Sequence, residues 1–77
     1  MDSLPYSLEK LTFVTNAWLV VSGDCTVGVL EHHRDGHFSA RGVTFDDVDI
    51  VFRAYSAQVA ADLFFSLWAL QRGILEY

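Results

Sequence analysis

The stretch SAQVAADLFFSLWALQR, running from Ser56 to Arg72, decides the fold. It reads as one helix, because Val59, Ala60, Leu63, Phe64, Leu67 and Leu70 recur at three- and four-residue spacing. The apolar surface does not stop there. Ala61, Phe65, Trp68 and Ala69 carry it further round the cylinder, and only Gln58, Asp62, Ser66, Gln71 and Arg72 are left for water. Ser56 is a fitting N-cap, since its hydroxyl can accept a free amide hydrogen bond of the first turn. Gly73 is placed to end the helix in the left-handed conformation, with Ile74 packing back on the last turn. One side of such a helix buries on its own sheet. The other, read as Phe65, Trp68 and Ala69, is expected to need a second body to cover it.

Upstream of the helix the period changes from helical to alternating. Val48, Ile50, Phe52 and Ala54 interleave with Asp47, Asp49, Val51, Arg53 and Tyr55, which predicts a strand over 48–55 with one apolar face. Asp35-Gly36 is a strong hairpin signal between a strand from Cys25 to about His33 and one that begins near Phe38. A two-residue turn sets Phe38 opposite His33 and Ala40 opposite Glu31, continuing the face of Val27 and Val29. A three-residue turn with Gly36 left-handed slips the pairing by one. Gly23-Asp24 offers a type II′ turn, which places Val20 opposite Val27 and Trp18 opposite Val29. The β-branched and aromatic residues from Leu11 to Ser22 predict one more strand, broken or bulged at Asn16. Before it, Leu4, Leu8 and Leu11 fit a short helix, while Leu4, Tyr6 and Leu8 fit a strand equally well. The expected architecture is a single α+β domain over residues 1–77: an antiparallel β-meander of about four strands packed by one C-terminal α-helix, in two layers.

A chain of 77 residues with 52% apolar residues has little core in which to hide them, since a domain this small buries only about 60% of its unfolded surface. Six Phe, three Tyr and two Trp add to the load. Part of it is therefore expected at an interface. Ten acidic against five basic residues give a formal charge of −5, which argues against direct nucleic-acid binding and favours a protein partner with a basic surface. Cys25 stands alone, so no intramolecular disulfide forms, and the opening residues carry no basic-then-apolar leader. No uninterrupted apolar run is long enough to span a membrane. The expectation is a soluble protein of the cytoplasm.

Motifs for chemistry are sparse. His32, His33 and His37 suggest a metal site, but adjacent strand residues point to opposite faces, so at most two of the three converge and none is expected to hold a metal. Cys25 lies a whole strand away from these histidines, beyond the reach of a nucleophile and its base. With no nucleotide-binding glycine loop or Ser-His-Asp set, neither catalysis nor a cofactor is expected. The densest charge is Asp46, Asp47 and Asp49. Asp47 and Asp49 on one strand face would sit about 7 Å apart, spaced like neighbouring phosphates, with Glu31, Asp35 or Asp62 nearby. The ordinary reading of the same residues is a solvated edge that blocks aggregation.

A short acidic chain with one cysteine, a β-meander, an Asp-rich approach to a strand and a terminal helix resembles the small phage-encoded inhibitors of bacterial defence, the anti-CRISPR proteins. The resemblance spans the chain in size, charge and layout. That class shares no motif, so no residue is carried over as functional. The resemblance implies a stoichiometric inhibitor docked on a CRISPR effector, covering the groove where DNA enters or blocking a subunit contact. The candidate partner-binding residues are Asp46, Asp47, Asp49 and Asp62 for basic groups, with Phe65, Trp68 and Arg72 from the helix. Two alternatives stand beside it: an obligate homodimer built on Phe65, Trp68 and Ala69, and an antitoxin or small subunit of a cytoplasmic complex.

Overall fold

Five antiparallel strands follow one another across a single sheet, and one helix lies over one of its faces. The computed structural model describes residues 6–43, 47 and 49–73. The strands are β1 (Ser7–Lys10), β2 (Ala17–Ser22), β3 (Cys25–His32), β4 (Phe38–Gly42) and β5 (Val51–Ala54), in spatial order β1-β2-β3-β4-β5. Helix α1 (Ala57–Gln71) packs mainly on β4 and β5. This is the two-layer α+β meander expected, with five strands in place of four. The opening stretch supplies the extra one, as β1.

The strand expected over Leu11–Ser22 is shorter at its start. Leu11 to Asn16 form the reversal that allows β1 to pair with β2, and local β propensity there yields to the demands of pairing. Lys10 Nζ donates to the carbonyls of Val14 (2.6 Å) and Leu11 (3.3 Å), holding the loop, and Phe13 at its tip is 95% exposed. Strand β5 likewise begins later than expected, because Asp47 and Asp49 lie in a turn and Ile50 N donates to Asp47 O at 2.9 Å ahead of Val51. Val48 and Ile74 lie outside the described residues.

Both hairpins form, and both depart from the simplest register. Gly23 has φ 62° while Asp24 is not left-handed, the pattern of a type II′ turn. Ser22 pairs with Cys25 and Val21 with Thr26, but a bulge between Val20 and Val21 then leaves Val20 opposite Gly28 and Trp18 opposite Leu30. The expected pairs with Val27 and Val29 are displaced by one residue. Leu30 therefore enters the core and Val29 turns to the other face, while Gly28 leaves room for the Phe64 ring: a Cβ there would sit 2.5 Å from it. At the second hairpin Gly36 is left-handed (φ 97°), His33 N donates to His37 O at 2.8 Å, and His32 pairs with Phe38. This is the three-residue turn, not the two-residue one, so Ala40 lies opposite Leu30.

The core gathers Val20, Val27, Leu30 and Ala40 from the sheet with Ala60, Phe64, Phe65, Trp68 and Ala69 from α1. Ser56 caps the helix by accepting from Val59 N, and Gly73 (φ 72°) follows its last turn. Ile50, Phe52 and Ala54 pack inward from β5 and its approach, while Val51, Arg53 and Tyr55 face out, as the alternation predicts.

Candidate interaction surface

The residues first assigned to a partner turn out to hold the helix to its own sheet. Phe65 is fully buried and Trp68 is 8% exposed. Their rings lie 5.4 Å apart, with Tyr6 5.0 Å from Phe65 on the far side. The expectation of an exposed Phe65–Trp68 face is therefore corrected. Large rings fill the depth between helix and sheet better than the smaller Val59 and Leu63.

Asp47 is corrected in the same way. It is 2% exposed, so it presents no charge to a target. Trp68 Nε1 donates to its Oδ2 at 3.1 Å, Arg72 forms an ion pair with the same oxygen, and the guanidinium lies 4.4 Å over the Trp68 ring. A buried carboxylate needs such partners, because removing it from water is costly. Gly42 admits it, for a Cβ at that position would meet the Asp47 backbone oxygen at 2.3 Å. Arg72 is thus engaged internally and not held ready for a partner.

Asp62 is also engaged. It accepts from the Tyr6 hydroxyl and from Gln58 Nε2 (2.9 Å), which ties the start of the sheet to the helix. Burial, and then the hydrogen bond to Asp62, push the Tyr6 hydroxyl well above the usual phenol range. Asp49 is exposed, and Asp46 lies outside the described residues. The supposed row of phosphate-like carboxylates is therefore reduced, among the described residues, to Asp49.

The open apolar surface of α1 is on its other side. Val59 is 47% exposed, Leu63 45% and Leu70 36%, and at roughly 100° per residue these three fall on one narrow stripe opposite Ala61, Phe64 and Trp68. The signal for it was present in the sequence, in the 59, 63, 70 spacing. Periodicity located two apolar stripes, and the expected ranking is reversed: Phe65, Trp68 and Ala69 are sealed while Val59, Leu63 and Leu70 stay open.

The histidines cluster at the β3–β4 turn without forming a metal centre: no group of three or more His, Cys, Asp or Glu is arranged to hold a metal ion among the described residues. His33 and His37 stack at 4.3 Å, while His32 stacks on Phe38 at 4.2 Å. His33 Nε2 meets Ser39 Oγ at 2.7 Å and His37 Nδ1 meets Asp35. Serine and aspartate thus bind different rings, so no single imidazole is both oriented by a carboxylate and bonded to a hydroxyl, as a triad requires. The backbone amide of His37, followed by its ring, holds the Asp35 carboxyl below the usual carboxylate range. An open depression beside this turn is lined by His37, Arg53, Ala54 and Tyr55, and Tyr55 is 77% exposed. Cys25 is exposed at the opposite end of β3. No described helix is long and apolar enough to cross a membrane. Comparison with family models, curated proteins and solved structures gave no match.

Proposed function

We propose that this chain is a non-enzymatic protein-binding module that inhibits a nucleic-acid-binding complex in the cytoplasm, with CRISPR effectors as the target class suggested by its layout. Docking runs through the outward stripe of α1. The observation that carries this reading is the exposure of Val59, Leu63 and Leu70 together on a helix whose opposite face is already sealed. A helix face of this kind fits an apolar groove on a partner, with anchors four and seven residues apart. The formal charge of −5 supports approach to a basic surface. With Asp47 neutralised by Arg72, apolar contact carries the affinity and charge steers the encounter.

The test is inhibition of target-DNA binding across a panel of guide-loaded CRISPR effectors. A Val59→Gln/Leu63→Gln variant is expected to lose inhibition while keeping its fold. Asp49→Lys is expected to slow association and alter its salt dependence. Full inhibition by the stripe variant overturns the docking surface, and no inhibition by the native chain across the panel removes the target class.

A further inference from the structure

Where the β3–β4 turn lies beside the end of β5, His37, Arg53, Ala54 and Tyr55 line a depression of about 280 Å³. It is separate from the stripe of α1. Ser39 pairs with Arg53 and Ala40 with Phe52, and since Ala40 and Phe52 pack inward, Arg53 and Tyr55 stand on the face of the sheet turned away from the helix.

The aromatic wall of the depression is held in place by its own neighbours. His37 Nδ1 meets the Asp35 carboxylate, which also accepts from the His37 amide at 3.1 Å, and His33 stacks on the His37 ring at 4.3 Å. His33 is fixed in turn by the hydroxyl of Ser39, which is only 6% exposed. Tyr55 stands at 76° to the His37 ring with the centroids 6.4 Å apart, and most of its own ring is open to solvent. A planar ligand can therefore stack on Tyr55 and meet His37 edge-on. Walls fixed beforehand lower the ordering cost of binding.

Charge selects what that ring carries. Of the five basic side chains, Lys10 donates to loop carbonyls, Arg41 pairs with Glu31 at 3.8 Å and Arg72 pairs with Asp47. Arg53 is exposed and forms no ion pair among the described residues. Its planar guanidinium is suited to a carboxylate or phosphate, which it grips through paired N–H groups. The Asp35 carboxylate beside the depression is already engaged by the amide and ring of His37. We propose that this depression binds a small planar anion, one aromatic ring bearing a phosphate or a carboxylate, with the ring on Tyr55 and His37 and the anion on Arg53. The volume lies at the small end for ligand pockets, which suits a single ring with its charged group. This proposal does not depend on the functional reading above, which uses the other side of the molecule.

Titration of the native chain with phenyl phosphate, followed by nitrogen–proton correlation NMR at fixed ionic strength, tests it. Saturable shifts are expected at His37, Arg53, Ala54 and Tyr55, with a Kd on the order of 1 mM. Inorganic phosphate alone and phenol alone should each bind about tenfold more weakly, because each keeps only part of the contact. Arg53→Gln should weaken phenyl phosphate about tenfold and Tyr55→Ala about fivefold. Arg41→Gln, which removes a cation of the same sheet face outside the depression, should leave binding unchanged. Native amide dispersion in each variant confirms that it is folded. Benzoate separates the two anions: whichever of benzoate and phenyl phosphate binds more tightly names the charged group, and either result supports the site. No saturable shift from either compound overturns the proposal. So does binding that Arg53→Gln or Tyr55→Ala leaves intact, that Arg41→Gln weakens equally, or that inorganic phosphate matches, the last marking an adventitious ion only.

Discussion

The two faces of α1 both carry apolar side chains and meet opposite fates. Ala60, Ala61, Phe64, Phe65, Trp68 and Ala69 are buried, whereas Val59, Leu63 and Leu70 face out. Hydrophobicity alone does not separate them. Polar partners do: the Trp68 indole finds the Asp47 carboxylate, which Arg72 neutralises, and Asp62 accepts from Tyr6. These contacts set the rotation of the helix about its axis. A buried ion pair of this sort adds little net stability, but rotating the helix away from it strands a charge.

The sharpest way to break the contrast is at the inner face. Phe65→Ala should cost about 3–5 kcal/mol through lost burial and the cavity left behind. Asp47→Ala should cost about 1–3 kcal/mol by leaving the buried Trp68 N–H unpaired, while the exposed Arg72 regains water. In a domain this small the loss of the Phe65 ring should abolish cooperative urea unfolding at room temperature. Native-like unfolding of Phe65→Ala would show that the ring is not a core element.

Gly28→Ala probes the same face from the sheet. Its Cβ would sit 2.5 Å from Phe64 and 2.7 Å from the Arg41 carbonyl oxygen, and overpacking of this kind costs about 1–3 kcal/mol. A lowered urea midpoint with an unchanged slope is expected.

Tyr6→Phe tests one of the polar anchors, with a loss of about 1 kcal/mol. It should also change the response to alkali. The folded state holds the Tyr6 hydroxyl above its unfolded value near 10. Its contribution is therefore complete below about pH 10 and is lost as pH rises beyond it. The native chain should lose stability in that window more steeply than the variant, as read from urea midpoints against pH.

The smallest effect on folding belongs to the outer face. Val59→Gln and Leu63→Gln should each shift stability by no more than about 0.5 kcal/mol, while the double variant removes partner binding. A large loss of stability would mean that the stripe packs within the protomer after all.

Much of the fold was legible because the signals were local. Ser56 and Gly73 marked the helix ends, Gly23-Asp24 and Asp35-Gly36 marked the hairpins, and alternation marked the inward side of β5. The candidate surface was less legible. Asp47 looked like one of a row of surface carboxylates, and nothing in its neighbourhood in sequence announced Arg72, twenty-five residues away. The bulge at Val20/Val21 moved every pairing beyond it by one residue, exchanging Val29 for Leu30 in the core. Neither event has a short-range cause.

The chain by itself determined a β-meander closed by one helix, and a helix with more apolar surface than one face can hide. Backbone preference, capping and turn chemistry act over a few residues and can be read in order. Only the tertiary structure decided which of the two apolar stripes is sealed and which acidic side chain is neutralised. Those choices depend on volumes and charges brought together from distant parts of the chain: the Phe64 ring over Gly28, and Asp47 between Trp68 and Arg72.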